Sequence, residues 1–297
     1  MRRFEIGSDL EKKNKPHNPL FSSYLCGLIE GDGTIIVPKT ERSPKGVLNY
    51  PSIQIVFDTR DLPLAITIQK ELGFGSISKT KGTNSYRLTI NNSEGVITMV
   101  ELLNGYMRTP KIVMFNRLID FLNKKFPTLQ LSEQKEVDNS KLDSNAWLAG
   151  FIDAVRRGHF FVNLSSKSIN CGFDLVQSSV NHLNLSNKDI MISLSEFLNV
   201  NVLEAKRKKY PGYLEYIVRT SKLASNEKLI SYLERYSLYS SKYLNFKDWQ
   251  RVVEIIKKKE HKTITGKDKI KLIKDKMNNK RTEFNWDHLL KFYKFDR

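Results

Sequence analysis

The strongest constraint on the fold of this chain is a short apolar segment that occurs twice. Leu25-Cys26-Gly27-Leu28-Ile29-Glu30-Gly31-Asp32-Gly33 has a blurred copy 123 residues later, Leu148-Ala149-Gly150-Phe151-Ile152-Asp153-Ala154-Val155-Arg156. Each follows a polar start, Ser22-Ser23 and Ser144-Asn145. Gly27 and Gly31 are four residues apart, as are Gly150 and Ala154. On a helix this spacing puts two small residues on one face, where a second backbone can approach closely. The repetition therefore predicts a tight, pseudo-symmetric helix pair within one chain. Asp32 falls at the C-terminal end of the first helix, before Gly33 as the natural stop. A carboxylate there opposes the helix dipole, so stability does not call for it and a bound cation would explain it.

The landmarks that follow keep their order in both halves. Ile68–Leu72 aligns with Leu194–Leu198, Tyr86-Arg87-Leu88-Thr89 with Tyr216-Ile217-Val218-Arg219, and Pro110-Lys111-Ile112 with Ser241-Lys242-Tyr243. The slowly drifting spacing is that of a tandem duplication with loop insertions. Strand patterns at 34–37, 52–57, 76–80 and 85–91 and helical periodicity at 62–72, 96–103 and 112–122 recur at 160–164, 172–177, 201–207, 213–220, 190–198, 226–235 and 241–259. The expected layout is an N-terminal arm (1–19), a first repeat (20–126), a polar linker (127–143), a second repeat (144–250) and a basic extension (251–297). The extension holds 15 Lys or Arg against 7 Asp or Glu, which suits either a solvated tail or an added nucleic-acid contact surface.

The two motif segments resemble the name-giving helix of the LAGLIDADG family of homing endonucleases and group I intron maturases. Residues 25–33 match closely; the second copy matches through Ala154 and then departs, with Val155-Arg156-Arg157 where the family has one acid before Gly158-His159-Phe160. The resemblance spans about 20–250. It implies an α+β fold of two pseudo-symmetric αββαββα repeats, with motif helices at the interface and antiparallel sheets forming a nucleic-acid-binding saddle. It implies magnesium as cofactor, held in this family by one acid from each motif helix. It also implies double-stranded DNA at an intron-insertion site, or group I intron RNA, as partner, a monomeric state and a mitochondrial matrix location.

By matching positions, Asp32 is the first metal ligand, and Val155 stands where the second should be. Asp153 matches Glu30; only a bulged or lengthened helix end would carry it to the metal, where it is kept as the alternative second ligand, and with Asp32 alone magnesium is confined to one site. Lys111 and Lys242 match basic residues near the family's site, and Asp58 and Gln177 match positions near its solvent network. Arg156 and Arg157 could bind a phosphate or repel a cation. The polar strand faces nominate Gln54, Arg87, Thr89, Asn91, Lys206, Lys208 and Arg219 for base edges and phosphates.

Composition agrees. A net charge of +17 favours nucleic acid or an anionic surface. No apolar run approaches the roughly 18–20 residues of a membrane span. A membrane-surface protein has only the charge behind it. The lone cysteines, Cys26 and Cys171, lie in apolar stretches, as expected of buried thiols in a reducing compartment. The intact repeat, the charge and the lost acid together favour a splicing maturase with a damaged cleavage site; the alternative is a DNA endonuclease or nickase.

Overall fold

A computed structural model describes residues 18–40, 42–129, 133–165, 168–206 and 212–294. The first repeat runs α1 (Pro19–Asp32), β1 (Gly33–Ile36), β2 (Ser52–Asp58), α2 (Leu62–Leu72), β3 (Ser76–Lys79), β4 (Ser85–Ile90), α3 (Ser93–Leu103) and α4 (Ile112–Lys125). The second runs α5 (Trp147–Ala154), β5 (Gly158–Leu164), β6 (Ile169–Ser178), α6 (Lys188–Leu198), β7 (Val202–Lys206), β8 (Leu214–Arg219), α7 (Leu223–Arg235) and α8 (Lys242–Lys257). Each repeat closes with two helices, as the helical periodicity at 96–103 and 112–122 and at 226–235 and 241–259 predicts, so the αββαββα unit carries one further helix. Both sheets are antiparallel, ordered β1-β2-β4-β3 and β5-β6-β8-β7.

The strands form because their apolar residues alternate. Ile53, Ile55 and Phe57 on β2 and Leu88 and Ile90 on β4 face the helices and are almost fully buried, as are Phe173, Leu175 and Val218 in the second sheet. The alternate residues are left on an open face. Asn18 caps α1, its side chain accepting bonds from Leu20 N and Phe21 N, with Pro19 pre-set for the first turn.

The centre of the molecule is the contact between α1 and α5. A Cβ on Gly27 would lie 2.0 Å from the carbonyl oxygen of Trp147, and one on Gly150 would lie 2.0 Å from that of Tyr24. The helices meet backbone to backbone. Two buried acids reinforce this reciprocally. Glu30 accepts from the amides of Arg108 and Thr109 (2.8 and 2.7 Å) before α4, and from the Trp147 indole across the interface (2.7 Å). Asp153 accepts from the amides of Tyr239 and Ser240 (2.7 and 3.2 Å) before α8, and from the Tyr24 hydroxyl across the interface (2.7 Å).

The segments outside the repeats are docked. In the linker, Asp138 pairs with the buried Arg108 at 2.6 Å, and Leu142 is buried. Beyond residue 250, Val252 and Val253 belong to the core, α9 (Ile264–Lys274) packs on α8, and the chain returns to the interface. There the Phe292 ring lies edge-on to Tyr239 and Tyr24, at 4.8 and 5.8 Å between centroids, and Lys294 O accepts from the Asn18 side chain. The extension is therefore not simply a solvated tail. Cys26 and Cys171 are free, buried thiols. No helix among the described residues is long and apolar enough to cross a membrane.

The Gly27–Gly150 approach leaves no room for larger residues. Gly27→Leu and Gly150→Leu should each destabilise the fold by about 1–3 kcal/mol or more in urea denaturation. Unchanged midpoints in both variants would contradict the packing.

Candidate functional site

The two motif helices end side by side, and their ends differ. On α1, Asp32 is the last helical residue and Gly33 at once begins β1. On α5 the helix stops at Ala154, and Val155, the residue aligned with Asp32, turns away from the helix at φ −64°, ψ 116° with its side chain buried. Arg156 and Arg157 form a turn, and Gly158 begins β5. The two extra residues thus neither lengthen nor bulge the helix. They are absorbed in the turn, where their cationic side chains are half-exposed or more.

This corrects the expectation for Asp153. Its oxygens point into the interface, where Tyr24, Tyr239 and Ser240 satisfy them, and burial raises its pKa despite those bonds. It is the structural mirror of Glu30, not a ligand at the helix end. Asp32 instead meets a cation from the protein: Arg156 Nε donates to Asp32 Oδ2 at 2.9 Å. Burial raises the Asp32 pKa; the bond and charge of Arg156, then Lys111 and Lys242, oppose it.

Lys111 and Lys242 are brought together as equivalent groups, each closing the C-terminus of its own motif helix. Lys111 Nζ donates to the carbonyls of Ile29 and Gly33, both at 2.8 Å; Lys242 Nζ donates to those of Ile152 and Val155 at 2.7 and 2.5 Å. An ammonium suits this end of the helix dipole. Burial nevertheless lowers both pKa values to about 8, against the charges of Glu30 and Asp32 for Lys111 and of Asp153, Asp61 and Asp32 for Lys242.

Strand register settles the remaining candidates. Gly33 pairs with Ile55 and Gly158 with Leu175, so Asp58 corresponds to Ser178 and Gln54 to Asp174. Gln177 is one residue out of phase: it sits with Leu175 and Tyr216 on the helix-side face, while Asp174 and Val176 face the cleft, because a one-residue step reverses the side chain. Lys206 likewise shares the side of Val202 and Val218, at the exposed end of its strand, rather than that of Arg219. Gln54, Arg87 and Thr89 occupy the open face of the first sheet, Asn91 is exposed just beyond β4, and Lys208 lies outside the described residues. Asp58 caps the turn after β2 and pairs with Arg60 at 2.9 Å; burial raises its pKa, but the Arg60 bonds outweigh this and hold it below its ordinary value. Sequence reading missed Asp61, Asp174 and Glu215. Asp61, buried, accepts from Ser241 N at 2.7 Å and ties α2 to the start of α8. Asp174 pairs with Arg219 and Glu215 with Arg157. Strict alternation along β6 would have placed Asp174 on the open face.

The donor set does not fit a pair of divalent ions. Asp32 is a single acid already paired with a guanidinium, the opposing side chain is Val155, and two ammonium groups lie close by. Among the described residues no group of three or more His, Cys, Asp or Glu is arranged to hold a metal.

Twin motif helices under twin four-stranded sheets define a class, and the family model described as LAGLIDADG endonuclease matches residues 25–122 and 148–253. The chain belongs to that family. Among its relatives is the "Intron-encoded DNA endonuclease aI3" of Saccharomyces cerevisiae, 34% identical over 306 residues, covering 91% of this chain and 72% of the relative. The "Intron-encoded RNA maturase bI4" of the same yeast is 33% identical over 141 residues, 47% of this chain and 19% of that protein. Of solved structures, the I-LtrWI LAGLIDADG homing endonuclease bound to target DNA matches with a TM-score of 0.66 at 22% identity, covering 89% of this chain and 100% of that one.

The buried lysines give a pH dependence of defined sign. A lysine whose native pKa lies near 8, below the unfolded 10.5, binds fewer protons when folded, so its contribution to stability rises with pH across that window. The stability of the wild type relative to a Lys111→Met/Lys242→Met variant should therefore increase between about 8 and 10.5. A difference independent of pH would contradict burial of these ammonium groups.

Proposed function

We propose that this protein binds nucleic acid across its paired sheets, has lost efficient two-strand cleavage, and acts as a maturase that helps its host group I intron RNA fold and splice. The observation that carries this reading is the Asp32–Arg156 pair beside the buried Val155. Hydrolysis of a phosphodiester by the two-metal route needs facing carboxylates that bring positive charge to the attacking and leaving oxygens. Here a guanidinium, fixed to the chain, holds Asp32, the acid that ends α1, and Val155 stands opposite. A maturase needs the fold and an open face for its ligand, and the two antiparallel sheets with their open faces support that reading. The likeness to a yeast RNA maturase supports the reading, as does the net charge of +17. The monomer, with both halves in one chain, and the mitochondrial matrix complete the picture drawn from the family.

A second reading, a DNA endonuclease or nickase, has specific support. A relative at 34% identity is named an endonuclease, structures of similar fold are bound to target DNA, and Asp32 is retained. In that reading one magnesium ion displaces Arg156 from Asp32.

Plasmid cleavage and nicking, run beside splicing of the host intron RNA, separates the two. The protein as it stands should promote splicing and leave plasmid uncut on both strands. Replacing Val155-Arg156-Arg157 by a single Asp should raise magnesium-dependent cleavage by about 10²–10³ or more, the scale of restoring one stabilising group at a developing charge. Asp32→Asn in that background should abolish it again. Wild-type protein that cuts both strands as fast as the restored variant would overturn the loss of cleavage.

A further inference from the structure

The open faces of the two sheets are not chemically equivalent. On the first, the cross-strand rows read Thr34–Gln54–Thr89–Ser76 and Val56–Arg87–Ser78, so Arg87 faces no acid across the strands. On the second, the rows read His159–Asp174–Arg219 and Val176–Ile217–Leu203, with Phe161 opposite Gly172. Among the described residues, the arginines of this face are paired within the protein. Arg219 makes a two-pronged bond to Asp174, at 2.5 and 2.7 Å, and Arg157 is paired with Glu215.

What the second face offers instead is flat and apolar. Phe161 stands between core residues Phe160 and Val162, so alternation turns its ring to the open side. The Arg219 guanidinium lies 5.8 Å over that ring, and the exposed His159 ring is 6.4 Å away on the same side. Beside them Leu203 is 49% exposed. Burial lowers the His159 pKa, against the pull of Asp174, which favours the uncharged ring at neutral pH.

A duplex presents phosphates and base edges, and a surface whose arginines are internally paired gains little from phosphates. Unpaired bases present π faces, which aromatic rings and guanidinium planes cover whatever the sequence. We propose that the open face of the second sheet is a platform for unpaired RNA nucleotides, with Phe161 as the stacking ring and His159 and Arg219 flanking it, while the first sheet, through Arg87, grips paired backbone. This deepens the proposed function and rests on its reading of RNA as a ligand. It does not depend on the loss of cleavage.

Phe161 also lies against Gly172, whose Cβ would come within 2.9 Å of its ring. A purely structural role, shielding that glycine, must therefore be separated from stacking. The experiment uses the full chain with two fluorescent probes, an unstructured oligouridylate and a duplex DNA of equal length, at one salt concentration. Phe161→Leu keeps an apolar cover over Gly172 and removes the ring; Phe161→Trp keeps a ring. We expect Phe161→Leu to weaken oligouridylate binding about tenfold, the loss of one base stack, and to leave duplex binding unchanged. Phe161→Trp should bind oligouridylate as the wild type does, and Arg87→Ala should weaken duplex more than oligouridylate. Equal weakening of both probes by Phe161→Leu, or wild-type oligouridylate binding by that variant, would overturn the platform. Selective loss of oligouridylate in a protein that fails to promote splicing would uphold the platform and sink the maturase reading.

Discussion

The carbonyl of Trp147 occupies the place where a side chain on Gly27 would begin, and the carbonyl of Tyr24 does the same at Gly150. Everything else depends on this backbone contact. Dispersion forces across so close an approach are large in sum and tolerate no added carbon. Because the helices touch, one residue on each can reach across: Tyr24 to Asp153 and Trp147 to Glu30. Each of those acids also fixes the loop that precedes the last long helix of its own repeat. Those loops in turn aim Lys111 and Lys242 at the carbonyls of the motif-helix ends. One contact thus fixes the distance between repeats, the heights of the helix ends and the positions of two cations. Desolvating carboxylates is costly, and Glu30 and Asp153 persist because several donors surround each of them.

Cleavage chemistry asks for more than this frame. An identical frame with an acid on each helix end would gather negative charge and attract divalent ions. The second helix end here carries three residues where one acid would suffice, and the two extra residues lie in the turn between α5 and β5. Val155 turns inward and is buried, while Arg156 turns back to Asp32. An exposed ion pair of this kind contributes little to stability. Its effect is electrostatic: it neutralises the carboxylate at the end of α1 and adds to the lysines that flank it. The frame and the open sheet faces do not depend on which residues stand at the helix ends, so the proposed loss of cleavage would leave a surface for the ligand.

Much of this was legible in the sequence because duplication writes the same physics twice. The glycine spacing foretold the helix pair, the drifting offsets foretold the order of elements, and alternation placed Gln54, Arg87 and Thr89 on an open face. The position of Asp32 against the helix dipole marks it as unusual, and in the structure it ends α1 paired with Arg156. What failed was phase and tertiary partnership. Gln177 follows from a matched family position and Lys206 from a polar strand face, and in both a shift of one residue turns the side chain through the sheet. Asp153 carried the right chemistry, but its partners, Tyr239 and Ser240, lie 86 and 87 residues away, beyond what a local pattern can encode. The charged extension reads as a solvated tail or a nucleic-acid contact because Lys and Arg dominate it, whereas the ring of Phe292 packs into the interface. Nothing in its local composition distinguishes a docking aromatic from an exposed one.

The central claim is that Arg156 has taken the place of a divalent ion at Asp32. The most direct measurement is manganese binding followed by electron paramagnetic resonance, with the wild type compared with Asp32→Asn, both free and bound to duplex DNA. Manganese shares the oxygen-ligand preference of magnesium and reports its own binding. The account predicts identical isotherms for the two proteins in each state, with no saturable site assignable to Asp32. A stoichiometric site in the wild type that disappears in Asp32→Asn would contradict it.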